Sequence, residues 1–206
     1  MHEVGALKAE LDVSRETMDR LEALVDQTVR WNRKINLISK ESVTQIWDRH
    51  IKDSLQIGRL ASSGSLWADL GSGGGFPALV VASEWAELHP ETQFVLVESD
   101  QRKCAFLRTA IQSLSLNAKV ISQRIESVPP IGANIISARA LAPLNSLLAY
   151  ADRHLAHDGV CLFPKGQNHE AELSESLESW TYQSEIHPSL TNPNAAILKL
   201  WNIRRV

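Results

Sequence analysis

The stretch LWADLGSGGGFPALVVA, residues 66–82, places four glycines in five positions between one apolar run that carries Asp69 and another that begins after Phe76 and Pro77. Missing side chains let backbone N–H groups approach a ligand closely, and they also permit a tight turn from strand to helix. Gly71, Gly73 and Gly75 form G-x-G-x-G, and the next apolar run, FVLV, ends in Glu98. A carboxylate at such a strand end can accept two hydrogen bonds from a ribose diol, so the two features together describe a site for a nucleoside cofactor. A pyrophosphate dinucleotide sits on G-x-G-x-x-G, and here Phe76 and Pro77 stand where that pattern needs small residues. S-adenosylmethionine has no phosphate to cradle and suits the loop better.

The elements that must hold such a loop are legible in the alternation of the chain. Residues 16–31 carry Met18, Leu21, Leu24, Val25 and Thr28 at helical spacing with Ser14 as a cap, and a further helix is expected before residue 62. The run ASSGS at 61–65 marks a boundary between a helical N-terminal extension, 1–62, and a second unit, 63–206. Beyond it, short β-rich runs (LWADLG, FVLVES, KVISQR, ANIISAR, GVCLFPKG) alternate with helical ones beginning near Pro77, Arg102 and Leu144. This order predicts an α/β fold with a mostly parallel sheet covered on both faces. The NPN turn near the C-terminus predicts an antiparallel hairpin at one sheet edge.

Composition narrows the classes. With 206 residues, 44% hydrophobic and 22% charged, the chain can bury a sizeable core, and no run approaches the roughly 18 apolar residues of a membrane helix. Cys104 and Cys161 have no metal-ligand spacing and are too few for a disulfide framework, which fits a cytoplasmic protein without a metal centre. The net charge of −3 argues against indiscriminate nucleic-acid coating. Locally, Arg30 to Arg59 holds seven Lys or Arg against Glu41, Asp48 and Asp53, a net of +4, with Trp31 and Trp47 between them. Arg33, Lys34, Lys40 and Lys52 are candidates for phosphate contact, and Arg102 and Lys103 extend the patch.

WNRKINLIS at 31–39, RHIKDSL at 49–55, DLGSGGGFP at 69–77, ESDQRKCAFLR at 98–108, QRIESV at 123–128, SARALAPL at 137–144 and PKGQ at 164–167 follow one another in the chain. In that order they resemble the motifs of the bacterial 16S ribosomal RNA guanine-N7 methyltransferases, the glucose-inhibited division protein B family. The resemblance implies a class I, Rossmann-like S-adenosylmethionine-dependent methyltransferase fold with a short helical extension. It implies methylation of one guanine in 16S ribosomal RNA, in the small ribosomal subunit or an assembly intermediate. It also implies cofactor positions at Gly71, Phe76, Ile125, Glu126 and Arg139, to which Gly73, Gly75 and Glu98 add themselves by position.

The chemistry agrees with the resemblance. No Asn-Pro-Pro-aromatic motif and no nucleophile with a base is present, and guanine N7 needs none, since it has an in-plane lone pair and no proton to lose. Arg139 is expected to position substrate or cofactor. His50 and Asp53, three apart, either shape the pocket or pair with each other. Two other readings stay open: an NAD-dependent oxidoreductase, and a noncatalytic RNA-binding module that keeps the cofactor pocket.

Overall fold

The computed structural model describes residues 10–206; the first nine residues of the expected extension lie outside the described residues. Helix α1 (Arg15–Asn32) starts where Ser14 Oγ accepts the Thr17 N–H at 3.0 Å, as the cap predicts. It is followed by α2 (Lys40–Val43), a π-helical turn (Trp47–Lys52) and α3 (Asp53–Leu60). The alternating part comprises β1 (Leu66–Leu70), α4 (Ala78–Leu88), β2 (Gln93–Glu98), α5 (Gln101–Ser113), β3 (Ala118–Ser122), β4 (Ala133–Ser137), α6 (Leu144–His154) and β5 (Leu155–Lys165). The chain then forms α7 (His169–Ser176), β6 (Trp180–Pro188) and β7 (Ala196–Arg205).

Seven strands form one sheet in the order β3-β2-β1-β4-β5-β7-β6. The first five run parallel, whereas β7 is antiparallel to both β5 and β6. The expected edge hairpin is present, but its first strand begins at Trp180, well before the run containing the NPN turn. Chain order reverses between β1 and β4, so the carboxyl ends of these two strands flank the crevice where doubly wound folds bind ligands.

Side chains alternate across the sheet. Trp67 and Leu96 face a core built with Leu21 and Leu24 of α1, Val81 and Trp85 of α4 and Phe106 of α5. Ala68, Leu70, Val95 and Val97 face a second core closed by Leu144, Leu147 and Leu148 of α6 and by Trp180 and Leu198. Trp67 stacks on Phe94 and meets the edge of Trp85, which fastens β1, β2 and α4. The N-terminal helices therefore share one core with the sheet and are held where they can reach its carboxyl edge. Half-buried Trp31 packs edge-on against Phe106 at the margin of the first core. Cys104 and Cys161 are both fully buried, and burial pushes the Cys161 thiol far up.

Candidate cofactor cleft

At the end of β1 the glycine loop continues the parallel ladder, since the N–H groups of Gly71 and Ser72 both donate to Val97 O, at 2.9 and 3.0 Å. Gly71 has φ +68°, and a Cβ there would lie 2.5 Å from Leu141 Cδ1. Gly73 is different. It also has positive φ, +52°, but the nearest atom to an added Cβ is 3.8 Å away, so what the position keeps clear is the cleft itself. The Gly75 N–H turns back to Ser72 O at 2.7 Å and leads into the buried Phe76 at the mouth of α4.

Glu98 stands at the end of β2, where Oε2 accepts the Gly73 N–H at 2.9 Å and Oε1 accepts those of Ser99 and Asp100 at 2.7 and 2.8 Å. A carboxylate offers about four acceptor sites, so about one remains. The side chain expected to take two hydrogen bonds from a diol is thus largely committed to fastening the glycine loop. Ile125 and Glu126 lie on a short 3₁₀ turn after β3, and Glu126 accepts the Tyr150 hydroxyl at 2.6 Å, which lowers its carboxyl below the usual range. These residues, with Arg139 and His50, line one cleft of about 480 Å³. Tyr150, Leu37 and Ile38 are also in its lining. The backbone N–H groups of Leu37 and Ile38 donate to Asn32 Oδ1, at 2.8 and 3.1 Å. Tyr150 sits on a helix face far along the chain, and no local signal marks it.

His50 and Asp53 do not pair. Asp53 accepts from Ser189 at 3.3 Å and from Thr191, while Arg139, just beyond β4, donates through one nitrogen to Arg49 O at 3.0 Å and through another to His50 Nδ1. The same guanidinium lies 5.5 Å from the centre of the Phe76 ring, on which His50 is stacked at 4.8 Å. A π-helical turn presents His50 here, a geometry that recurs at functional sites. Guanidinium is a donor only, so Nδ1 of His50 must accept and Nε2 must carry the proton of the neutral ring. Burial, reinforced by the positive charges of Arg139 and Arg49, pushes the His50 pKa down to about 3 and keeps the ring neutral. Nε2–H is buried and has no hydrogen-bond partner among the described residues.

Below the glycine loop, Asp69 Oδ1 accepts the Ser137 hydroxyl at 2.6 Å, and Ser137 in turn accepts Trp67 Nε1–H at 2.8 Å. Burial pushes the Asp69 pKa up to about 6, only partly offset by the Ser137 and Ser72 contacts. The two displaced groups give stability opposite slopes with pH. His50, depressed from 6.5, contributes stability that is present above pH 6.5 and is lost as pH falls toward 3. Asp69, raised from 3.8, contributes stability that is present below pH 3.8 and is lost as pH rises through 6. Between about pH 4 and 6 they oppose each other. Urea denaturation across that range should show stability rising more steeply with pH in Asp69→Asn than in the parent, and less steeply in His50→Asn. Parallel curves for all three would refute both assignments.

The basic candidates divide. Arg33 and Lys34 are exposed just after α1, and exposed Lys40 opens α2, so all three flank the Leu37–Ile38 rim of the cleft. Lys103 lines the cleft directly. Arg102, exposed near the start of α5, lies 3.4 Å from Asp100, and Lys52 is ion-paired with Glu10.

The family described as GidB, rRNA small subunit methyltransferase G, matches residues 17–200. A protein named Ribosomal RNA small subunit methyltransferase G from Cereibacter sphaeroides (strain ATCC 17029) is 53% identical over 93% of this chain and 94% of its own length. One of the same name from Ruegeria pomeroyi is 50% identical over 95% of this chain and 96% of its own. Among solved structures, M. jannaschii TYW2 in complex with AdoMet superposes with a TM-score of 0.59 at 13% identity, covering 84% of this chain and 80% of that one. A SAM-dependent methyltransferase from Aquifex aeolicus gives 0.58 at 9% identity, covering 79% and 97%. The fold is that of the class I methyltransferases, and by its sequence the chain belongs to the GidB family of small-subunit ribosomal RNA methyltransferases.

Proposed function

We propose that the chain transfers a methyl group from S-adenosylmethionine to N7 of a guanine in 16S ribosomal RNA, in the bacterial small subunit or one of its assembly intermediates. The observation that carries this reading is the cleft at the β1/β4 crevice, kept open at Gly73 and ending in an unpartnered His50 N–H beside Arg139. Those groups fit the cofactor. The remaining acceptor site of Glu98 suits a ribose hydroxyl, Ile125 and Glu126 flank the adenine end, and Gly71 and Phe76 shape the floor, while Gly75, outside the cleft lining, serves the turn into α4, where a Cβ would lie 2.4 Å from Leu79 Cδ1. At the other end His50 Nε2–H and Arg139 supply two donors for the methionine carboxylate, which relieves the cost of a buried unpaired N–H. When bound, S-adenosylmethionine supplies a methyl group on a sulfonium.

The residues around the cleft orient and exclude water, and none of them needs to accept a proton. His50 is unable to act as a base, because Nδ1 is occupied by Arg139 and Nε2 already carries hydrogen. That restriction is compatible with N7 as the acceptor, which has nothing to lose. Arg33, Lys34, Lys40 and Lys103 are placed to hold RNA phosphates beside the cleft, with Arg102 and Lys52 adding charge once released from Asp100 and Glu10. The reading also fits a cytoplasmic protein.

Incubation with S-adenosylmethionine labelled in the methyl group and small subunits from cells lacking the modification tests the proposal. Label should enter 16S RNA. Binding of the cofactor with no transfer would favour a noncatalytic module, and heat protection by NAD in its place would favour an oxidoreductase.

A further inference from the structure

A second cleft, of about 430 Å³, opens on the other side of Arg139 and shares that residue and Ala140 with the cofactor cleft. Ala138, Leu147, Pro164 and Ile197 give it apolar walls. Four charged residues line it: Arg139, Asp53, whose Oδ1 already accepts from Ser189 and Thr191, and a mostly shielded pair, Lys165 from the end of β5 and Glu172 from α7, with side-chain exposures of 11% and 23%. That pair meets at 2.6 Å. Glu172 Oε2 also accepts the Leu144 N–H at 2.7 Å, and Lys165 Nζ also donates to Ala142 O at 3.1 Å.

Counting hydrogen-bonding capacity shows what is left over. Oε2 of Glu172 is used twice, whereas Oε1 has no partner among the described residues and keeps both acceptor sites. Lys165 has three donors and uses two, which leaves one. The carboxylate is therefore held in orientation by Leu144 and Lys165 while presenting a free oxygen, beside a spare N–H of a cation. Guanine offers the complement on one edge: N–H donors at N1 and N2 next to the O6 acceptor. Adenine offers an acceptor at N1 and no oxygen.

We infer that this second cleft receives the target guanine, with Glu172 Oε1 accepting from N1–H and N2–H and Lys165 donating to O6. The inference rests on the guanine methyltransferase reading given above. N7 lies on the other side of the purine from the N1–N2 edge, so a base held by Glu172 leaves its reactive edge free. The shared Arg139 wall makes the two clefts neighbours. Because the edge read here is the one used in base pairing, the guanine must be unpaired or extruded to enter. The cleft also gives the segment after Gln167 a role, since α7 delivers Glu172.

GMP and IMP differ only in the N2 amino group, so they isolate the contact with Glu172. With the cofactor cleft saturated by S-adenosylhomocysteine, calorimetry on the parent protein should show GMP binding about tenfold or more tightly than IMP. Glu172→Gln should bring the two to within about twofold while leaving S-adenosylhomocysteine affinity unchanged. Equal binding of GMP and IMP by the parent, absence of GMP binding, or retained preference in Glu172→Gln would overturn the assignment, and the parent measurement needs no variant to fold. Transfer to subunits separates this from failure of the underlying reading. If the parent forms no 7-methylguanosine, the reaction class is wrong; if it does and Glu172→Gln matches it, only the base cleft is wrong.

Discussion

Arg139→Met should lower single-turnover methyl transfer by about a hundredfold, the scale expected when a residue that holds both clefts in near-attack alignment is removed. Arg139 makes three contacts at once: a donor to Arg49 O, a donor to His50 Nδ1 and a face against Phe76. Methionine keeps the bulk and loses all the donors, so His50 would be free to turn and the wall between the clefts would lose its anchors. Lysine should rescue little, because an ammonium lacks the planar fork that reaches both acceptors while lying on an aromatic ring. Calorimetry with S-adenosylmethionine should show weakening of about tenfold or more alongside the kinetic loss. A variant with parental transfer rates would remove Arg139 from the site.

Gly73→Val should abolish measurable cofactor binding, a loss of at least about a hundredfold, while the protein still folds. Two effects combine. A β-branched residue at φ +52° carries roughly 1–3 kcal/mol of backbone strain, and its side chain would project into the cleft, where the nearest atom to its Cβ, Gly71 O, is 3.8 Å away. Since the space is open, the fold accommodates the atoms and the ligand does not. Gly71→Val makes the contrast, because its Cβ meets Leu141 at 2.5 Å and the cost falls on packing as well. Circular dichroism melts together with calorimetry separate the two outcomes. Normal affinity in folded Gly73→Val would mean that the cofactor runs elsewhere.

What was legible in the sequence is what local patterns specify. Ser14 announced α1, the glycines announced the turn after β1, and Glu98 stood where β2 had to end. The contacts that give the cleft its character link residues far apart, and no periodicity reports them. His50 and Arg139 are 89 residues apart, and the link depends on a π-helical turn whose extra residue per turn leaves no mark on an apolar pattern. Glu98 had the right place and a different main duty, because backbone N–H groups claim its oxygens. Strand β6 was partly missed since its exposed edge residues, Gln183 to Glu185 among them, lack the alternation of a half-buried strand. The Lys165–Glu172 pair was half visible: PKGQ drew attention to the lysine, but α7 carries too weak an apolar stripe to place the glutamate.

The atom that receives the methyl group decides the reaction class. Small subunits isolated from cells lacking the modification, treated with this protein and S-adenosylmethionine carrying a deuterated methyl group, can be digested to nucleosides and resolved by mass spectrometry. A single labelled species, 7-methylguanosine, derived from 16S RNA and absent when Arg139→Met replaces the parent, is the expected result. Label on an exocyclic amino group, on a ribose hydroxyl or on no nucleoside would contradict the assignment, because the first two acceptors must lose a proton that N7 does not carry and the last would mean no transfer to RNA.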